Sequence, residues 1–265
     1  MSDKPAIVFI HGDFGNGESS FAKAASEIGD GYRLLLLDRP GFAAGAEHPS
    51  RYTFADDAAA MLVEVSRLGA ADFHLVGHSY GGLVAIEMTR QAPERVRSLT
   101  LIEPPVLALL DDDAARAMIR RVVELQAAHR DDDLDATTAA FFAMIDAAHV
   151  PERLRGTPEW DALLPYAARF ARNEPPGDFP LATFEALPAD LPVTVFSGGR
   201  SHRALRGVAE LLAGRPQVRR YVHVPGAGHA VQMAGDAFVL PLLEEIAVAD
   251  AAWPQRRPPA DAPTS

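Results

Sequence analysis

Six apolar runs of strand length, separated by segments with helical periodicity, constrain the fold of this chain more than any other feature. They are AIVFI (6–10), YRLLLL (32–37), FHLVG (73–77), RSLTLI (97–102), PVTVF (192–196) and RRYVHV (219–224). Runs without polar alternation suit strands covered on both faces, as in a parallel sheet, although period alone does not separate them from buried helix. The intervening patterns decide the matter. ESSFAKAASEIG, TFADDAAAMLVEVSRLG, GGLVAIEMTRQAPERV and ALRGVAELLAG each carry an apolar face at helical spacing. Strand and helix in alternation predict an α/β fold with a mostly parallel sheet and right-handed crossovers.

The alternation fails between 104 and 191, where the chain turns alanine-rich and helical and then proline-punctuated. The expected organisation is therefore a core in two parts, 1–103 and 192–250, interrupted by a helical cap over 104–191 and followed by a disordered, proline-rich tail over 251–265. At 265 residues the whole amounts to one catalytic-sized domain. The runs Asp111–Asp113 and Asp131–Asp133 lack calcium-loop spacing and read as solvated helix N-termini.

A net charge of −11 excludes nucleic acid and anionic membrane as partners, because no basic patch offsets the field. With no cysteine, thiolate catalysis, thiolate metal sites and disulfides are excluded. Neither a signal-type apolar segment at the N-terminus nor a membrane-spanning run is present in the sequence, so a cytoplasmic location is expected.

Chemistry enters at GHSYG (77–81). The motif G-x-S-x-G marks a nucleophile when a strand precedes it and a helix follows, and both patterns are present here. The glycines leave room for a strained serine, Ser79, at a helix N-terminus, where the N–H of Tyr80 faces a developing oxyanion.

With HGDFGNG (11–17), DRPGF (38–42) and PGAGHA (225–230), the chain resembles the α/β-hydrolase superfamily over residues 5–103 and 192–248. The resemblance implies a second oxyanion N–H on the loop after the first strand, at Asp13 or else Phe14. The Asp13 carboxylate must then turn away from the oxyanion. His11 would be structural in that loop, and Asp38 would organise the DRPGF loop. Relatives commonly carry two further strands before the His-Gly loop, so a trimmed sheet of about six strands is expected. Among nine histidines, His229 is the candidate base, because VPGAGH follows the last strand and its glycines permit a loop over the sheet edge.

The acid departs from the commonest pattern. The loop after 192–196, which in most relatives carries an Asp, reads SGGRSHRAL and holds no carboxylate. Glu103, which ends the strand following the nucleophile helix and is stopped by Pro104 and Pro105, is the candidate, with Asp190 and Asp236 as fallbacks. A subset of the superfamily, including many haloalkane dehalogenases, is similar in placing the acid there. Those enzymes use an Asp nucleophile, so Ser79 points instead to acyl transfer through an acyl-enzyme.

The expected function is a serine hydrolase of a small-to-medium, mostly apolar ester or lactone, working on a small-molecule substrate without cofactor or metal. Two alternatives stay open from sequence: a cofactor-free C–C hydrolase, lyase or oxygenase with His229 as base, and a non-catalytic ligand-binding protein on the same fold. Phe141, Phe142, Met144, Ile145, Trp160, Tyr166 and Phe170 in the cap are read as packing rather than as substrate contacts, and Arg200 and His202 as facing the same mouth.

Overall fold

A computed structural model describes residues 4–42 and 52–256. Six strands, β1 (Ala6–Ile10), β2 (Arg33–Leu37), β3 (Phe73–His78), β4 (Val96–Ile102), β5 (Val193–Gly198) and β6 (Val218–Val224), pair in parallel in the order β2-β1-β3-β4-β5-β6. Each of the six apolar runs is a strand, its ends within two residues of the sequence expectation. Helices α1 (Gly17–Ile28), α2 (Phe54–Arg67) and α3 (Tyr80–Gln91) alternate with the first four strands. Between β4 and β5 come α4 (Asp113–Ala128), α5 (Leu134–Met144), α6 (His149–Leu154), α7 (Pro158–Asp161), α8 (Pro165–Arg172) and α9 (Leu181–Glu185). The last two helices are α10 (Arg203–Ala213) and α11 (Asp236–Arg256).

The missing polar alternation has a direct structural cause. Every residue of β1 is buried, yet Ala6, Val8 and Ile10 belong to one core cluster, with side chains of α2, α3 and α10, while Ile7 and Phe9 belong to another, with Phe21 of α1 and Phe238 and Leu242 of α11. Both faces of the sheet are covered, so both residue parities must be apolar.

Strand order sets where a site can form. The chain runs outward from β1 to β2 and then returns to β3 on the other side of β1. The loops leaving the carboxyl ends of β1 and β3 therefore diverge, and a crevice opens between them.

The segment from 104 to 191 has a small core of its own, Val122, Leu125, Phe141 and Phe170. Phe179, Phe184, Leu187 and Leu191 instead join the main core beside α3, as do Val106 and Leu107. Asp113 opens α4 and the Asp133 carboxylate caps α5, so both acidic runs lie at helix N-termini.

Residues 251–256, expected as the start of a disordered tail, are helical instead. Helix α11 continues to Arg256 because Trp253 is buried, with the Arg97 guanidinium 5.4 Å from its ring centroid; residues 257–265 lie outside the described residues. Among the described residues, no helix is long and apolar enough to cross a membrane.

Candidate active site

Strand β3 delivers Ser79 as the N-cap of α3 with φ 53° and ψ −126°. A non-glycine residue held at positive φ costs of order 1–3 kcal/mol and persists only where its surroundings enforce it. Here the Ser79 N–H donates to the Ile102 carbonyl at 2.8 Å, and the Ser79 carbonyl accepts from the Gly82 N–H at 2.8 Å. The flanking glycines are sterically obligatory: a Cβ at Gly77 would lie 2.5 Å from the Gly81 carbonyl oxygen, and one at Gly81 2.3 Å from that of Ile10.

Strand β4 ends beside it at Glu103, also at positive φ (44°) and fully buried. Its Oε2 accepts from His229 Nδ1–H at 2.6 Å and from the Ser201 hydroxyl at 2.5 Å, while Oε1 accepts from the Gly198 N–H at 2.8 Å. Each of these donors satisfies a lone pair of a carboxylate that would otherwise be costly to bury. The loop after β5, which has no acid, thus supplies two donors to the acid on β4. Sequence reading missed Ser201 and Gly198, although a serine in the loop that lacks the carboxylate was the available signal.

Loop 225–230 brings His229 over the sheet. Glycines 198 and 199 let the β5 loop lie against it, since a Cβ on either would come within 2.5 Å of a carbonyl oxygen in residues 225–228. The Glu103 contact makes Nδ1 the protonated nitrogen and leaves Nε2 as the base lone pair. No hydrogen bond joins Ser79 to His229 among the described residues, yet both line the same cavity. Such contacts commonly tighten only when substrate is bound.

His78, read from sequence as the variable residue of the motif, holds the His229 backbone from the other side. Its Nε2–H donates to the His229 carbonyl at 3.1 Å, and the two rings lie 4.8 Å apart. Burial holds the His78 imidazole well below its ordinary pKa, so it is neutral.

The loop after β1 completes the site. The Gly12 carbonyl accepts from His11 Nδ1–H at 2.7 Å and from Arg39 Nη1 at 3.2 Å. In a trans peptide C=O and N–H point in opposite directions, so the Asp13 N–H points away from the His11 and Arg39 groups that bind the Gly12 carbonyl. Tyr80 opens α3, where a backbone N–H lacks an intrahelical acceptor. His11 Nε2 accepts from the Arg39 N–H at 3.0 Å, which occupies both ring nitrogens. Burial and the Arg39 charge lower its pKa to about 3, so His11 is a neutral structural strut.

The Asp13 side chain turns away from that N–H, to Asn173 Nδ2 at 2.5 Å and Arg39 at 3.4 Å, and burial raises its carboxyl pKa. It belongs to a buried cluster in which Asp57 holds Arg39 at 2.8 Å and Arg169 at 2.8 Å, while Arg169 also donates to Asn173 and to the Pro40 carbonyl. The cluster ties α8 to the loop that carries Asp13. Residues 57, 169 and 173 gave no sequence signal, being far apart and individually ordinary, and Arg39 was visible only as part of the DRPGF motif.

A cavity of about 350 Å³ lies over Ser79 and His229, lined by Gly12 to Phe14, Ser19 and Ser20 of α1, Phe141, Phe142 and Ile145, and Gln232 and Met233. Met144 and Phe170 line a smaller slot on the other side of Ser79. Four of the aromatic and aliphatic residues read as packing, together with Phe170, therefore also face a cavity, whereas Trp160 is buried with its indole N–H on Asp135. Arg200 lines neither space, because its N–H binds the Ala227 carbonyl and turns the loop aside, and His202 caps α10. Asp190 precedes β5 at the opposite end of the sheet, and Asp236 is exposed at the start of α11. Asp38 accepts from the Gly17 N–H at the start of α1. Among the described residues, no group of three or more His, Asp or Glu side chains is arranged to hold a metal ion.

The family model described as alpha/beta hydrolase fold matches residues 5–236. A pimeloyl-[acyl-carrier protein] methyl ester esterase of Chromobacterium violaceum is 30% identical over 148 residues, 54% of each protein. A 2-hydroxy-6-oxononadienedioate/2-hydroxy-6-oxononatrienedioate hydrolase of Klebsiella pneumoniae is 35% identical over 104 residues, 37% of this chain and 36% of that one. The aligned parts make up 26 to 54% of the length of the first curated relatives. The crystal structure of a hydrolase from Pseudomonas aeruginosa superposes with a TM-score of 0.68 at 22% identity, covering 94% of this chain and 90% of that one, a likeness of fold.

Proposed function

Because the chain belongs to the α/β-hydrolase family, we propose that it is a serine hydrolase of carboxylic esters or lactones, with Ser79 as nucleophile, His229 as base and Glu103 as the acid that orients it. The observation that carries this reading is the 2.6 Å contact between Glu103 and His229, two residues 126 apart in sequence, beside a serine held at positive φ on the same cavity.

In the first half-reaction Ser79 Oγ bonds to the substrate carbonyl carbon while its proton passes to His229 Nε2. The oxyanion is met by the N–H groups of Asp13 and Tyr80, each worth about 10²–10³ in rate in comparable sites. Collapse restores the C=O bond and breaks the bond from the acyl carbon to the ester oxygen, and the leaving alkoxide takes the proton from His229. Water then enters the vacated position, gives a proton to His229, attacks the acyl carbon and releases the acid, returning the proton to Ser79. Glu103 stays ionised and stabilises the imidazolium. The helices between β4 and β5 serve as the cap over this site.

Turnover of nitrophenyl and alkyl esters by the full chain tests the reading. Hydrolysis should be measurable, and Ser79→Ala should reduce it to background with the fold intact. Ester turnover that survives Ser79→Ala would overturn the nucleophile assignment.

A further inference from the structure

The space around Ser79 is divided. Ser79, His229, Asp13, Phe141 and Ile145 line both parts and form the partition between them. On one side the outer cavity leaves about 350 Å³ for the centre of a water-sized group. Its wall includes the exposed residues Ser19, His149 and Met233, so it opens to solvent. On the other side an inner slot leaves about 30 Å³. Apart from the partition, the slot is walled by apolar side chains, among them Leu107, Met118, Val122, Met144 and Leu205, and none of its lining residues is exposed.

Resting on the serine-hydrolase reading, we propose that the inner slot is an acyl-length gauge, and that the substrates are short-chain esters, acetyl or propionyl, of bulkier alcohols bearing polar groups. The assignment of sides follows from the second half-reaction. The attacking water must take the place the alcohol has left while the acyl group is still bonded to Ser79, so the alcohol's side must be the one that solvent reaches. Only the outer cavity has fully exposed residues in its wall, whereas those of the slot are buried or half-buried. It is also lined by the loop on either side of His229, Gly228 and Ala230, which places the departing oxygen within the base's reach.

Size follows from volume. The space the slot leaves for the centre of a water-sized group, about 30 Å³, is less than a tenth of the 350 Å³ of the outer cavity, so the slot suits acetyl or propionyl and excludes hexanoyl. The outer cavity is of small-ligand size. Ser19, Ser20, His149 and Gln232 there offer partners to hydroxyl or amide groups of the alcohol.

Two ester series read the two sides separately: nitrophenyl esters from acetyl to octanoyl, and acetyl esters of alcohols from methanol to a naphthol. The gauge predicts that kcat/KM falls at least 100-fold from propionyl to hexanoyl and varies less than tenfold across the alcohols. Met144→Ala, which widens the slot only, should raise the hexanoyl-to-acetyl ratio at least tenfold. Val122→Ala on α4 gives a second reading of the same wall. Acyl chains tolerated through octanoyl, with selection on the alcohol, would overturn the gauge while leaving the hydrolase in place. No turnover of any ester, with no covalent labelling of Ser79, would overturn both.

Discussion

Replacing Glu103 by glutamine isolates what the carboxylate does. In the native protein Oε1 accepts from Gly198 N–H, and Oε2 accepts from both His229 Nδ1–H and Ser201 Oγ–H. A glutamine has one acceptor oxygen and one donor amide, so only two placements exist. With the amide toward Gly198, two N–H groups face each other, and the buried unpaired donor costs about 1–3 kcal/mol. With the oxygen toward Gly198, the amide donates to His229 Nδ1 and to Ser201 Oγ, whose hydroxyl can rotate to accept. The second placement satisfies every group and wins. It also moves the His229 proton to Nε2, the nitrogen that must accept from Ser79. In comparable triads the wrong tautomer lowers kcat by about 10⁴, or roughly 5.5 kcal/mol at 1.36 kcal/mol per tenfold. The expectation for Glu103→Gln is thus a kcat loss of about 10³–10⁴ with a denaturation midpoint close to wild type. Steady-state ester kinetics and urea unfolding on the same preparation measure both. A loss of less than tenfold with the fold intact would refute the tautomer argument.

Removing the Ser201 hydroxyl in Ser201→Ala leaves the Glu103–His229 contact in place, so kcat should fall only about threefold to thirtyfold, read by the same kinetics. Arg169→Ala strips one partner from the buried Asp57 and should destabilise by about 3–5 kcal/mol in urea, while a neutral effect would mean that Arg39 alone suffices. His11 and His78 are both held neutral below their unfolded pKa, so the unfolded chain takes up protons first as pH falls. Their stabilisation is present above about pH 6.5 and is lost as pH falls through their folded-state values, about 3 for His11. Asp13, whose pKa burial raises, opposes this with one proton. Unfolding free energy should therefore fall between pH 7 and pH 5, and His11→Gln should flatten the slope; a flat wild-type profile would contradict the neutral assignments.

What could be read from sequence divides along physical lines. The strands were legible because a sheet covered on both faces demands unbroken apolar runs, and β1 to β6 carry them. Glu103 was legible through a vacancy: SGGRSH lacks a carboxylate, and LIEPP has one at a strand end. The hydroxyl and N–H that hold Glu103 were not, since Ser201 and Gly198 become partners only once β4 and β5 lie side by side. The Asp57 cluster was invisible for the same reason, its members being brought together from positions 13 to 173. Residues 251–256 were read as tail because they run into the proline-rich stretch WPQRRPPADAPTS, whereas burial of Trp253 extends the helix through Pro254. Between β4 and β5, helical periodicity could not separate packing from lining, because Phe141 does both.

The central claim is that Ser79 forms a covalent bond to substrate. Its most direct test is intact-mass analysis of the protein after exposure to a fluorophosphonate, with the modified peptide mapped. The account predicts a single adduct on Ser79 that disappears in Ser79→Ala and slows sharply in Glu103→Gln. No adduct on folded wild-type protein, or an adduct that persists in Ser79→Ala, would contradict it.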